Sequence, residues 1–475
     1  MIVSKIIVCP TCGTKIYVRI QKGDYIPRYP IRINCGKCRS LIKGVYYSDE
    51  YDLTKDLYLV NGTNFPCCYS KDFKIDASYE IEISGELPCK TIKPFDGKSD
   101  LETPFLRSAG LMESYDIELY IKRLERFSKD YLQWIQCFST AFQLLIDGKL
   151  EYIPNIINGK IGYEYNCDNY VKILHSIYEV ALDYSFFLFE DLIQETILEV
   201  TIQYLSELDN KQMMDYCNYL KRKYDLVSVF KRLMNVFSDF MTLYPNLLPA
   251  EAMKKYRDFS DSGLANIGIS TCTYIDIKTF YQDAYETLLS LMDIPVCLDN
   301  IYSRKGWNNF VPHVIRIDKN SGKPITLKCI DDYNELANGK RLGFINNNEF
   351  YQRIVNLPAN SKLRNGIGHN NIYYDGVDQS IHIFDRKNNS REVEVFHLMD
   401  MAIDCLDFAR SAIVMANIVL FLIRQQNREN GIRSIISPRF YLKTLRDSDK
   451  CPCGSGLSYG ECCKQEIEQL KLKNN

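Results

Sequence analysis

The chain has almost no net charge, no apolar stretch long enough to cross a bilayer, no internal repeat and no low-complexity tract. Each lack narrows the field. With a formal net charge of −2 over 475 residues, nothing draws the whole molecule toward nucleic acid, so any surface of that kind has to be local. The longest apolar run, Ser411 to Ile423, contains Asn417 and is closed by Arg410 and Arg424. It is too short to span a membrane and reads as a buried helix. No secretory leader is expected, because Met1 to Val8 runs straight into Cys9. Eighteen cysteines would suit a secreted disulfide protein, but the clustered ones have metal spacing and most of the others are scattered singly. A reducing cytoplasm is therefore the expected setting. Hydrophobic content of 46% and charged content of 25% are those of a globular protein. The length implies roughly two to four domains.

What the chain does have is cysteine in groups. Cys9-Pro10-Thr11-Cys12-Gly13 and Cys35-Gly36-Lys37-Cys38 are two C-x-x-C knuckles, separated by the strand-forming run Ile16 to Ile20. Four thiolates suit tetrahedral zinc, and the glycines allow the tight turns that wrap it. Cys9, Cys12, Cys35 and Cys38 are read as the ligands of a zinc ribbon. Lys15, Arg19, Lys22 and Arg28 give it a modest basic character, which either a nucleic-acid contact or a solvated surface explains. Cys67, Cys68 and Cys89 form no convincing metal set and are read as structural thiols.

After the ribbon come strand-like runs, Leu57 to Val60 and Tyr79 to Ile83, each followed by a turn signal (Asn61-Gly62, Ser84-Gly85). Helical periodicity takes over near Leu111, with Tyr120, Leu124, Phe127, Tyr131 and Ile135 as an apolar stripe. The same periodicity predicts helices over 168–186, 188–206, 210–223, 226–243 and 274–293, then 348–355 and 395–426. A hairpin is expected around Val314 to Asp318. His175, on an apolar helix, reads as a core histidine. His313, His382 and His397 carry little. Glu190 and Asp191 are second-rank candidates beside a solvated face.

One short stretch concentrates chemistry: Ser361-Lys362-Leu363-Arg364-Asn365-Gly366-Ile367-Gly368-His369-Asn370. On a helix, Asn365 and His369 share a face, whereas Arg364 lies about 140° round from His369. Gly366 and Gly368 suggest a helix end or a turn. A histidine passes protons at neutral pH, and an arginine holds a phosphate and the charge that grows on it. The pair would serve phosphodiester cleavage without a metal. Spacing alone equally allows a helix cap.

The run L-R-N-G-I-G-H resembles the Arg-(polar)-x-x-x-His signature of HEPN domains, a helical family that includes many ribonuclease toxins and phage-defence effectors. A short β excursion follows (Tyr373 to Gly376, Ser380 to Asp385, Glu392 to Phe396), then a long apolar helix. The resemblance implies a metal-independent endoribonuclease with Arg364, Asn365 and His369 at its site. It also implies a homodimer in which Arg364 of one chain works with His369 of the other. In some relatives a tyrosine two residues after the histidine is nucleotidylated; here Asn371 stands there.

Finally, Cys451-Pro452-Cys453-Gly454-Ser455-Gly456 with Cys462-Cys463 resembles the SEC-C motif, whose family uses it for protein contact. Four sulfurs again suit one zinc. The expected fold is mainly α: a zinc ribbon (1–50), a β-rich extension and linker (51–110), a helical HEPN-like domain (111–430), a linker (431–450) and the SEC-C zinc motif (451–475). The expected activity is RNA cleavage in defence or toxicity, with two structural zinc ions, none for catalysis, and no membrane. The alternative from another class is a non-catalytic scaffold or adaptor that recognises RNA or protein through its zinc modules.

Overall fold

The computed structural model describes residues 1–66, 75–97, 104–158, 167, 169–185, 191–256, 266–310, 313–317, 321–337, 340–341, 355, 357–358, 360–385, 391–428, 432, 445–453 and 455–472. It is mainly helical, with a β-rich amino-terminal region. The chain divides into two compact units, each assembled from three separate stretches. Met1–Tyr131, Asp239–Asp283 and Asn360–Leu406 make the first; Leu132–Ser238, Ala284–Ala359 and Asp407–Asn475 make the second.

The first unit opens with strands β1 (Ile2–Val8), β2 (Lys15–Gln21), β3 (Arg28–Asn34), β4 (Leu41–Tyr47), β5 (Leu57–Leu59), β6 (Thr63–Pro66), β7 (Tyr79–Ile83), β8 (Cys89–Lys90) and β9 (Lys93–Pro94). They form a five-stranded sheet, β6-β1-β2-β7-β9, and a three-stranded antiparallel sheet, β3-β4-β5. Alternation explains the pairing. In β3, Tyr29, Ile31 and Ile33 are buried while Arg28, Pro30 and Arg32 face outward. One inward position of β1 is a lysine: Lys5 is fully buried, 2.6 Å from Asp56 and donating to the Leu53 carbonyl. Removing either partner would strand a buried charge.

Helices α1 (Pro104–Leu111) and α2 (Ser114–Ile146) follow. Tyr120 of α2 donates to the carbonyls of Glu86 and Leu248, and Arg123 pairs with Glu251 at 2.9 Å. All three bonds satisfy groups that water no longer reaches.

The second unit holds α3 (Ile153–Ile157), α4 (Tyr170–Ser185), α5 (Asp191–Glu207) and α6 (Asn210–Lys223). Next come α7 (Leu226–Leu243), α8 (Leu248–Met253) and α9 (Tyr274–Leu289), of which α8 lies within the first unit. The expected helix over 274–293 is interrupted. It stops at Leu289, and α10 (Asp293–Arg304) begins anew. Pro295, in the first turn of α10, lacks the N–H a continuous helix would need there. In the second unit Lys223 bridges Asp293 and Asn334 at 2.7 and 2.9 Å.

The isolated pair β10 (Ile267–Gly268) with β8 belongs to the first unit. The expected hairpin near Val314 is present as β11 (His313–Ile317) and β12 (Pro324–Leu327), before α11 (Ile330–Asn334). The motif helix α12 (Ser361–Gly368) precedes a three-stranded antiparallel sheet, β13 (Ile372–Asp375), β14 (Ser380–Phe384) and β15 (Glu392–His397). The closing helix α13 (Leu398–Arg428) starts three residues later than expected, because β15 runs on to His397. Its length and composition would allow a membrane span, unlike the short apolar run read from the sequence, because the helix extends well beyond Ser411–Ile423; 89% of its most apolar window is buried inside the protein, as in a core helix. Helix α14 (Lys464–Leu472) ends the described chain. Cys67, Cys68, Glu190, nearly all of the 348–355 helix and most of the 431–450 linker lie outside the described residues.

Candidate functional site

Asn360 starts α12. Its side chain accepts from the backbone N–H groups of Lys362 and Leu363, so the orphan donors of the first turn are satisfied. The helix ends where the glycines suggested: Gly368 is its last residue, and His369 is the C-cap, bonded through its N–H to the Asn365 carbonyl at 2.9 Å. His369 is exposed.

Arg364 and Asn365 are brought together. The guanidinium donates to Asn365 Oδ1 at 3.0 Å. A β-carbon built on Gly368 would lie 3.8 Å from both Arg364 Nη1 and Gln282 Nε2. Two donors therefore converge on the residue next to the histidine. Nothing in the sequence pointed to Gln282, which lies on α9.

Gly366 has a different task. A β-carbon there would stand 3.0 Å from Ile372 Cγ1 and 3.1 Å from Ile383 Cγ2, so its absence lets α12 settle on the β13–β14 hairpin. That hairpin is held on both faces. Tyr374 stacks on Tyr274 with ring centroids 5.7 Å apart. Arg39, in the left-handed backbone region at φ 62° directly after Cys38, donates to Tyr373 Oη at 2.9 Å and to the Asp375 carboxylate. A link across 334 positions has no sequence signal. Of the other histidines, His382 is engaged by Ser380 and Glu392 at 2.8 and 2.5 Å. His175 is buried in α4, as expected.

The cysteines converge as their spacing implied. Cys9, Cys12, Cys35 and Cys38 form one set and Cys451, Cys453, Cys462 and Cys463 another, with the sulfurs of each set within 4.8 Å of one another. A tetrahedral zinc–thiolate site, with bonds of about 2.3 Å, requires sulfurs about 3.8 Å apart. Cys9–Cys38 and Cys12–Cys35 measure 3.6 and 3.7 Å, and Cys453–Cys462 and Cys462–Cys463 measure 3.4 and 3.7 Å. These are far beyond a disulfide bond of about 2.05 Å. Both sets are compatible with structural metal sites.

Sulfurs this close cannot all ionise alone, so their titration splits. Burial works to raise Cys9, but the Ser40 hydroxyl and backbone N–H groups outweigh it and bring the thiol down to about 6; burial pushes Cys35 up to about 12. In the second set, hydrogen bonding from Cys451 and then Cys463 holds Cys453 low, while Cys451 is pushed up to about 12. A divalent cation resolves the conflict by taking all four as thiolates.

The surroundings of the amino-terminal set revise its expected basic character. Arg19 is buried and bonded to Glu82 at 3.0 Å, and Lys15 pairs with Asp76 at 2.5 Å. Neither offers a free charge to a ligand.

No protein-family model, curated protein or solved structure matches this chain.

Proposed function

We propose that the protein is a metal-independent endoribonuclease of the HEPN type, serving as a toxin or anti-phage effector in the cytoplasm. The observation that carries the reading is the placement of the motif. An exposed His369 stands at the end of α12, and the donors of Arg364 and Gln282 converge on Gly368 beside it. An exposed imidazole one residue from a cationic and an amide donor suits a phosphodiester substrate.

In the proposed reaction an RNA 2′-oxygen bonds to the adjacent phosphorus while its proton passes to His369. The P–O5′ bond then breaks, and the leaving 5′-oxygen takes a proton from the His369 of a second copy of the chain. The products are a 2′,3′-cyclic phosphate and a 5′-hydroxyl. Arg364 stabilises the charge on the phosphorane, and Asn365 holds Arg364 in place through the 3.0 Å bond. A homodimer would bring Arg364 of one chain to His369 of the other. The two cysteine sets take zinc in a structural role, since four thiolates leave no open position for water. The carboxyl-terminal SEC-C-like set docks a protein partner.

The test is cleavage of total RNA in EDTA by the wild type, His369→Ala and Arg364→Ala. Each substitution is expected to slow cutting by about a hundredfold or more. A His369→Ala protein that cuts as fast as wild type would sink the reading.

A further inference from the structure

The β3-β4-β5 sheet has one face in the core and one partly open to solvent, exposed at Arg28, Lys43 and Tyr58, and the two differ in more than burial. Tyr29, Ile31, Ile33, Ile42, Tyr46 and Leu57 point inward and are buried. On the outer face the register sets Arg28 beside Tyr47, Arg32 beside Lys43, and Val45 beside Tyr58. None of the outward positions on these strands carries a carboxylate. Arg28 and Lys43 are exposed, and among the described residues no carboxylate pairs with either. Arg32 has a loose partner, Asp276, at 3.8 Å. The Arg28 guanidinium stands over the Tyr47 ring at 5.6 Å, and Tyr58 is 59% exposed.

We propose that this face binds single-stranded RNA. Phosphates would lie against Arg28, Arg32 and Lys43, and unpaired bases would stack on the rings of Tyr47 and Tyr58. The choice of RNA over DNA rests on the ribonuclease reading above; the face itself does not. Charge complementarity selects the occupant. In a chain with 58 basic and 60 acidic side chains, three cations on strands whose outward positions carry no carboxylate, with only the loose Asp276 beside Arg32, are a local departure, and a polyanion answers it. Tyrosine faces select an unpaired strand, because a duplex keeps its bases stacked on one another. The sheet is also tied to the motif within the same unit. Asn34, at the end of β3, packs directly against Gly376, and Arg39 bonds Tyr373 of the hairpin that backs α12.

The experiment uses the full chain carrying His369→Ala, so that RNA survives, with a fluorescent oligouridine of about twelve nucleotides, a length in the range of single-strand sites. Tyr58→Ala and Lys43→Gln are each expected to weaken binding roughly five- to tenfold. The slope of log affinity against log salt is expected near −2, at about −0.7 per phosphate contact, and to shrink by about 0.7 in Lys43→Gln. Both side chains are exposed, so neither change threatens folding.

Binding that is absent, or that neither substitution alters, overturns the proposal. Equal affinity for oligothymidine overturns the choice of RNA, and tighter binding of duplex RNA overturns the choice of a single strand. A parallel cleavage assay on the wild type separates the two readings. Cutting without oligouridine binding removes this face and leaves the ribonuclease. Binding without cutting removes the ribonuclease and leaves the face.

Discussion

Cys9 and Cys38 lie 29 positions apart and reach each other through their own segment, whose hydroxyls also support the sulfurs. Ser40 Oγ is 3.4 Å from Cys9 Sγ and 3.0 Å from Cys38 Sγ, and Thr14 Oγ1 is 3.1 Å from Cys12 Sγ. The carboxyl-terminal cluster is supported from outside itself. Arg424 and Gln425 of α13 donate to the Cys453 carbonyl at 3.2 and 3.1 Å, and Arg428 donates to Ser455. Ile202 of α5 packs with Tyr459 and Ile467 around the cysteines. Zinc with four thiolates carries a formal charge of −2, and a guanidinium offsets it more strongly than a hydroxyl dipole does. The sulfurs of the first cluster are thus supported within their own segment, while the second cluster fastens the last described residues to distant helices of its unit.

Removing a ligand should separate the two clusters most widely. Structural zinc sites contribute apparent free energies of about 10–16 kcal/mol in isolated peptides. With zinc at both sets, as proposed above, Cys9→Ser and Cys463→Ser should each lower the zinc content from two to one per chain. Hydrogen exchange should then separate them. Cys9→Ser is expected to free the amides of β1 to β4, and Cys463→Ser those of α14 and the end of α13. Two zinc ions retained in either variant, or the same exchange pattern in both, would refute the distinction.

A smaller effect is expected from Arg424→Met, which keeps the apolar stem and removes the charge and the donor. Loss of such an outer partner typically weakens metal binding about 10–100-fold. Chelator competition should show that loss at the carboxyl-terminal cluster alone. Equal weakening of both clusters would mean that Arg424 acts through general stability.

How much of this was legible in the sequence depends on the range of the interaction. Both cysteine sets, the helices α4, α6 and α7, and the β13–β15 excursion were readable because spacing and periodicity are local signals. On spacing alone Asn365 shares a helix face with His369, whereas its side chain accepts from its neighbour Arg364. The interleaving of the two units was not, since no composition shift marks a chain that leaves a unit and returns. Arg39 with Tyr373, Gln282 beside Gly368 and Arg424 beside Cys453 are contacts between residues far apart in the chain. Arg19 misled for a related reason: on a strand it reads as a surface cation, and only the parallel pairing of β2 with β7 reveals Glu82 beside it.

Arg424 also bears on pH. His175 is 2% exposed on α4, and among the described residues its Nε2 has no hydrogen-bond partner. Burial, with the Arg424 charge second, holds its pKa well below the ordinary value. The folded chain therefore keeps His175 neutral, while the unfolded chain takes up a proton near pH ~6.5. This contribution is complete above that pH and is lost as pH falls toward the depressed folded value, at up to about 1.4 kcal/mol per pH unit. Urea unfolding at pH 7.5 and 5.5 should show the wild type losing about 1 kcal/mol more than His175→Leu. Equal losses would show that the acid sensitivity lies elsewhere.

The smallest effect is expected at the amino-terminal cluster. Ser40→Ala removes a single hydroxyl shared between two sulfurs of the amino-terminal cluster. A neutral donor contributes about half of what a charged one does, and the flanking backbone N–H groups remain to support Cys9. Zinc retention there should therefore weaken by about tenfold or less, at the low end of the range for outer partners. The carboxyl-terminal cluster, with no part in that hydroxyl, should hold its zinc unchanged. Chelator titration of Ser40→Ala beside Arg424→Met would measure both supports on one scale. If the serine mattered as much as the arginine, charge compensation would not be what separates the two clusters.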